Sequence, residues 1–362
     1  VSTSAVRVLN YLEWPSLFAR SGIGTATDQQ RAALERLADE RDRELELVTD
    51  PWPDTLRTIP ERVVDGTPVI ADYDVAHCNG IGPGSVAVAR HANRTGRPLL
   101  LHAHVTREDF RDSFRGSNRL AEPLGRYLRW FYSQADLVYC PSEQTKRHLE
   151  SYPVDAPVEP ITNGVGLASL EGYERFRDPV RDRLDLEGLV VFAVGNVFER
   201  KGLSTFCRLA RRTPYEFVWF GPYDRGPHAS RAVTRWTGDP PTNVTFTGWI
   251  EDKRGAFGAG DVFCFPTHAE NQGIAVLEAM ACEKPVVLRD LPVFDEFYTD
   301  GVDCLKCDTE REFRRALDRL ARDPALRRRL GERARETAKA HGLERVGTRL
   351  YRRYRRLCDQ YR

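Results

Sequence analysis

The chain has 362 residues, 41% of them hydrophobic, and carries 54 basic against 53 acidic side chains for a net charge of +1. The length exceeds one comfortable core and points to two domains, the composition is that of a globular protein, and near-neutrality argues against a bulk polyanion as partner. No apolar run approaches membrane-spanning length and the first residues lack a signal-peptide core, so the protein is expected to be soluble or to lie on a membrane surface.

Short apolar strands alternate with amphipathic helices along the chain, the pattern of parallel sheets. In the first half, strands are expected over 6–12, 44–48, 75–79, 98–103, 137–141 and 158–162. Ser21-Gly22-Ile23-Gly24-Thr25 follows the first of them and precedes a helix expected from about Thr27. Glycines there let backbone amides approach a phosphate, although a single G-x-G also recurs in any tight turn. Asp72-Tyr73-Asp74 stands just before a strand and reads as the end of a loop rather than as a metal site. His102 and His104 end a buried strand and are read as pointing to opposite faces, one to the core and one to a cleft.

Arg107, Arg111, Arg115 and Arg119 then follow at intervals of four. If helical, they form one cationic stripe with Phe110 and Phe114 on its neighbour. Leu120, Leu124, Tyr127, Leu128, Trp130, Phe131 and Tyr132 come next, with Arg126 and Arg129 among them. Arginine beside exposed aromatic rings suits an anionic membrane surface, while Glu108, Asp109 and Asp112 suit a solvated, salt-bridged helix. Nucleic acid is not expected as a partner, since net charge is near zero and no nucleic-acid motif is present.

Asn163-Gly164-Val165-Gly166 is a natural boundary between Rossmann-like domains over 1–165 and 166–340. Further strands are expected over 189–194, 216–220, 244–247, 262–265 and 285–288. Gly195-Asn196-Val197-Phe198-Glu199-Arg200-Lys201-Gly202 follows the first of these. A cation there can neutralise a departing diphosphate, and a surface lysine is the other reading. The strand at 262–265 would leave Glu270 at its carboxyl end, and Gly273 opens a helix carrying Glu278 eight positions on. Amides from Asn271 through Gln272 and Gly273 to Ile274 could hold a phosphate between the two carboxylates. Either this arrangement grips a nucleotide sugar, or both glutamates are solvated. Eight cysteines lie mostly in apolar text and read as reduced, buried thiols of a cytosolic protein; Cys304 and Cys307 form a C-x-x-C pair without a second pair at zinc spacing. The tail 345–362 holds seven arginines and one acid around Val346, Leu350, Tyr354 and Leu357 at helical spacing; a solvated basic face and a membrane contact are both open for it.

Glu270-Asn-Gln-Gly-Ile-x-Val-Leu-Glu278 resembles the E-x7-E signature of family 4 retaining glycosyltransferases. The resemblance implies an α/β GT-B fold, two Rossmann-like domains facing across a cleft, with the helix at 341–362 crossing back to the N-terminal domain. The N-terminal domain would bind the acceptor and the C-terminal domain the nucleotide sugar. It implies that Glu270 faces the donor sugar, that Glu278 holds the ribose hydroxyls, and that Lys201 clamps the diphosphate. Asn196 stands where many members have Arg, so one clamp is absent or supplied by Arg200. The loop with Gly22 and Gly24 would close over the diphosphate, Trp249 would mark where the base is read, and His104 would line the donor-sugar pocket. No metal or other cofactor is expected beyond the nucleotide-sugar donor.

His102-Ala-His-x-Thr-x-Glu-Asp-Phe-Arg-x-Ser-Phe-x-Gly-Ser-Asn118 looks like the diacylglycerol α-glucosyltransferase branch of the family. The expected function is therefore transfer of a hexose, glucose first, from UDP-glucose to a membrane lipid such as diacylglycerol. The enzyme would sit peripherally on the cytoplasmic face of the cell membrane, held by Arg107, Arg111, Arg115, Arg119 and the C-terminal helix. The alternatives are a family 4 transferase acting on a soluble or polysaccharide acceptor, and a nucleotide-sugar 2-epimerase of the same fold.

Overall fold

The computed structural model describes residues 5–40, 45–52, 70, 72–227 and 229–361, so Glu44 of the second expected strand and Arg362 of the basic tail lie outside the described residues. The chain divides into two compact units, the first of residues 1–106, 123–163 and 343–362 and the second of residues 107–122 and 164–342.

In the first unit the strands are β1 (Val6–Tyr11), β2 (Leu45–Val48), β3 (Val75–Cys78), β4 (Leu99–His102), β5 (Leu137–Cys140) and β6 (Val158–Pro160), in the order β2-β1-β3-β4-β5-β6. In the second they are β7 (Val190–Val194), β8 (Glu216–Phe220), β9 (Val244–Gly248), β10 (Val262–Phe265), β11 (Val286–Arg289) and β12 (Leu305–Cys307), in the order β12-β11-β10-β7-β8-β9. Every neighbouring pair is parallel. The order of the second sheet is doubly wound, and it reverses between β7 and β10, the place where such sheets leave a crevice at their carboxyl ends.

These strands form because their Val, Phe and Cys side chains are buried on both faces, as parallel sheets covered by helices require. Alternation sends Val190, Phe192, Phe263 and Phe265 to one core and Val191, Ala193, Val262 and Cys264 to the other. The same rule explains β12, which sequence reading missed. Cys304 packs with the first of these cores, while Leu305 and Cys307 share the second, so the C-x-x-C spacing belongs to a buried edge strand. All eight cysteines are free and buried.

The C-terminal helix (Leu343–Gln360) belongs to the first unit. Val346, Leu350, Tyr354 and Leu357 bury one face of it, as their spacing dictates. It lies against the helix Gly22–Glu40, and Gly347 permits the approach, since a Cβ there would stand 2.6 Å from the Ala33 carbonyl oxygen. The Tyr354 hydroxyl lies 2.6 Å from His77 Nδ1, deep in the core.

After β1 and a single turn at Pro15–Phe18, the long helix begins at Gly22, not near Thr27. Ser21 caps it, accepting the Gly24 amide on its hydroxyl at 3.2 Å. Gly24 is needed for packing: a Cβ there would meet the Phe18 carbonyl oxygen at 2.1 Å. Both glycines thus lie in the first helical turn rather than in a loop ahead of it.

Two further expectations are corrected. The four arginines from Arg107 do not share one helix, because the helix Arg107–Phe110 ends at once and Asp112 and Gly116 take positive φ of 55° and 91°. Arg107 and Arg111 instead pair with Glu122 at 3.3 and 3.0 Å. The aromatic run beyond them is core: Leu128, Phe131 and Tyr132 are fully buried, and the Tyr132 hydroxyl donates to the Val105 carbonyl at 3.0 Å. Leu120 and Trp130 remain exposed. Asp72 bridges Arg7 and Arg97, both at 2.8 Å, which fixes the loop before β3. Among the described residues no helix is long and apolar enough to cross a membrane.

Candidate active site

In the second unit, Lys201 and Glu270 come from the loops after β7 and β10, the two strands that flank the reversal of strand order. Gly202 allows the first loop to turn there, with φ +83° and a Cβ that would lie 2.2 Å from the Pro266 carbonyl oxygen. The two loops therefore meet backbone to backbone. Lys201 Nζ donates to Glu270 Oε1 and sits 5.0 Å over the Phe265 ring. Thr267 Oγ1 is 3.3 Å from the same carboxylate oxygen. Glu270 Oε2 has no protein partner among the described residues, which leaves one carboxylate oxygen for a ligand hydroxyl.

Arg200 faces the other way. Its Nη1 donates to the Ala269 carbonyl at 2.7 Å and pairs with Asp109 at 2.7 Å, and its Nε reaches Ser113 Oγ at 3.3 Å. The backbone amide of Arg200 donates to the Asp112 carbonyl at 3.3 Å. Arg200 is thus a rivet that ties segment 107–122 and the turn before Glu270 to the β7 loop, with its head only 3.6 Å from Glu270. Burial pushes the Asp109 carboxyl up, against the pull of Arg200. Sequence reading took Asp109 for part of a solvated surface; nothing in its spacing showed that it would meet a residue far along the chain.

Gly273 has φ +83° and caps the helix Ile274–Ala281, which carries Glu278 inward with its side chain 6% exposed. Glu278 Oε1 accepts from Lys253 Nζ at 2.6 Å. Desolvation would lower the Lys253 ammonium, but the Glu278 carboxylate outweighs it and holds the group above its ordinary value. Lys253 was also missed, although it stands four residues after Trp249 in the loop beyond β9. The two glutamates are alike: each has one oxygen tied by a lysine and the other without a protein partner among the described residues. Gln272 is buried and Asn271 half-buried at the turn between them. Asn196 is half-buried in the β7 loop, and Trp249 is 39% exposed just after Gly248, its indole donating to Glu251 at 3.1 Å.

In the first unit, His102 and His104 lie on the same face, with rings stacked parallel at 4.0 Å. Residues two apart along extended chain share a side, so the expectation of opposite faces fails on the period itself. His104 Nε2 is 3.0 Å from Asn79 Oδ1, and Asn79 donates onward to Asn10 at 3.3 Å. Gln30 Nε2 lies 3.0 Å from His102 Nδ1, and Arg31 anchors Asn10 at 3.2 Å. This buried network fixes the ring of His104. Burial pushes His104 down to about 3, so its imidazole is neutral and a donor or acceptor, not a cation.

Residues 188–323 match the profile of glycosyl transferases group 1, and residues 23–169 match that of glycosyltransferase family 4. The chain is 31% identical over 326 residues to the processive diacylglycerol alpha-glucosyltransferase of Acholeplasma laidlawii, covering 87% of this chain and 88% of that protein. A shorter match, 34% over 124 residues and about a third of each chain (32% and 33%), links it to the alpha-galactosylglucosyldiacylglycerol synthase of Streptococcus pneumoniae. Among solved structures, the sucrose-phosphate synthase of Thermosynechococcus elongatus shares the fold with a TM-score of 0.75, at 19% identity over 98% of this chain and 99% of that one. Anabaena HepE in complex with UDP-glucose gives a TM-score of 0.72, at 16% identity over 96% and 98% of the two chains.

Proposed function

Since the chain belongs to glycosyltransferase family 4 and is a glycosyltransferase of GT-B fold, we propose that it transfers glucose from UDP-glucose to a membrane lipid such as diacylglycerol, with retention of configuration. The observation that carries this reading is the pair of glutamates in the second unit, each half-tied by a lysine and half-open to a hydroxyl. One such carboxylate is chemically suited to the hexose and the other to the ribose. The diacylglycerol-glycosylating relatives supply the acceptor class.

In this reading Glu270 orients the hexose through its free oxygen, and Glu278, steadied by Lys253, takes the ribose hydroxyls. The Lys201 ammonium has three donors. One is engaged by Glu270, and the others are available to the diphosphate as charge develops on it. Amides between Asn271 and Ile274 at the helix start add to that stabilisation. The acceptor hydroxyl attacks on the face of the departing diphosphate, whose oxygen takes its proton, so no covalent nucleophile is assigned. Arg200 serves by holding Glu270 and the β7 loop in place. Asn196 and Trp249 complete the nucleotide site.

We further place the enzyme peripherally on the cytoplasmic membrane face, in contact with anionic lipid through the exposed Arg115 and Arg119, through Arg107 and Arg111, and through the C-terminal helix. Incubation with UDP-glucose and diacylglycerol, in detergent and on vesicles, tests the reading by mass detection of the lipid product. An α-glucosyl lipid is expected, and donor consumption only with soluble acceptors would overturn it. Lys253→Ala is expected to raise KM for the nucleotide sugar about tenfold with a much smaller change in kcat, because it loosens a ground-state contact. A KM unchanged within a factor of two would remove Glu278 and Lys253 from the donor site.

A further inference from the structure

The first unit contains a cleft of about 620 Å3 whose wall is the C-terminal helix. Arg345, Arg349, Arg352, Arg353 and Arg356 line it, with Tyr139 of β5 and Glu159 of β6 opposite. Intervals of three and four place these arginines on one helical face. The other face is locked into the core by Val346, Leu350, Tyr354 and Leu357. The guanidinium groups are therefore presented from a rigid support.

Their charge is unbalanced. Arg353 pairs with Glu159, and the other acid of the cleft, Glu344, stands 3.8 Å from Arg36. Arg349, Arg352 and Arg356 are exposed and have no carboxylate partner among the described residues. Like charges three and four apart oppose helix formation by ~0.2–0.5 kcal/mol per pair. The fold gains nothing from such a stripe, and a chain of net charge +1 does not produce one as a by-product of general basicity. Beneath it, burial pushes the Tyr139 phenol up, which keeps its hydroxyl neutral. Planar guanidinium groups gathered on one wall of a cleft suit a phosphate group, which they bind through paired N–H donors.

We propose that this cleft is a phosphate-binding site, with Arg349, Arg352 and Arg356 as its ligating residues and room beside them for the rest of a phosphomonoester or phosphodiester. The phosphate is either that of a lipid headgroup or that of a small soluble compound. In the lipid-borne case the site rests on the membrane reading above and gives it a defined anchor; in the soluble case it is independent of that reading.

The test uses the full chain and a triple variant, Arg349→Gln, Arg352→Gln and Arg356→Gln, which relieves helix repulsion and is expected to stay folded. A second triple variant, Arg315→Gln, Arg328→Gln and Arg329→Gln, loses the same charge at exposed positions of the second unit. The probes are sn-glycerol 3-phosphate in titration calorimetry, and phosphatidylcholine vesicles with and without phosphatidylglycerol in co-sedimentation. At least a tenfold loss of affinity in the cleft variant, but not in the control variant, is expected for one probe. Loss with glycerol phosphate identifies a soluble ligand, and loss with vesicles alone identifies a headgroup. Equal weakening in both variants, or no binding of either probe by the unmodified chain, overturns the proposal. Glucosyl transfer in detergent, where no bilayer is present, tests the proposed transferase activity separately.

Discussion

Lys201→Ala is expected to lower turnover by roughly two to three orders of magnitude, the usual effect of deleting one group that stabilises charge developing in the transition state. Lys201 is the cation on the loop after β7 whose ammonium reaches Glu270 at the carboxyl end of the sheet, while neighbouring Arg200 is committed to Asp109, Ser113 and the Ala269 carbonyl. Arg200 is therefore not free to replace it by a side-chain rotation. The fold is expected to survive, because Glu270 keeps Thr267 at 3.3 Å and Arg200 at 3.6 Å. UDP release under saturating donor and acceptor, with thermal unfolding measured in parallel, checks both halves. Turnover within threefold of the unmodified enzyme would sink the assignment. Lys201→Arg is not expected to restore it fully, since a planar fork cannot occupy the place of a compact ammonium beside Phe265.

The second large effect is acid lability of the first unit. His77, His102 and His104 are buried, and burial holds His77 and His104 at about 3 in the folded chain, with His102 also well below 6.5. In the unfolded chain each protonates at its ordinary value near 6.5. Between these values the unfolded state binds protons that the folded state does not, so stability is complete above pH 6.5 and falls as the pH is lowered toward 3. At pH 5.5 the loss is on the order of 1 kcal/mol for each of His77 and His104, and His102 adds in the same direction. Together these losses are a sizeable part of the ~5–15 kcal/mol that holds a typical domain folded. The environment gives protonation no relief: the Tyr354 hydroxyl and the Gln30 amide already occupy His77 Nδ1 and His102 Nδ1, and their other ring nitrogens have no partner among the described residues. Urea unfolding at pH 7.5 and 5.5 measures the difference. A free energy flat across that window would show that water or a partner reaches the rings.

The same histidines show how far local pattern carries. The burial of His102 was legible, because Leu99-Leu-Leu precedes it in a strand buried on both faces, whereas His104 was expected to face a cleft. The network that orients them was not legible, because Asn10, Gln30, Asn79 and Tyr354 come from four distant elements and none has a sequence pattern that names its partner. Arg200 and Asp109 make the same point from the other unit. Asp109 reads as a charge on a solvated helix and Arg200 as a candidate diphosphate clamp, and only the return of segment 107–122 to the second sheet brings them to 2.7 Å. The basic tail is a third instance. Its apolar spacing predicts a helix with one buried face, and that is what forms. That its arginines wall a cleft with Tyr139 and Glu159 depends on where β5 and β6 lie.

Hydrophobic alternation and the residues from Glu270 to Glu278 are local properties of the chain, and they were enough for the α/β class, eleven of the twelve strands and the family. The sequence also singled out Lys201, Glu270 and Glu278 as candidates, because the short segments that carry them resemble the family's own. Which charges became partners, that Arg200 became a rivet and that Lys253 steadies Glu278 follow from the folding of the chain and not from its local pattern. Side-chain pairing depends on distance in space, and the three-dimensional meeting of β7, β10 and segment 107–122 leaves no mark in the spacing of residues along the chain.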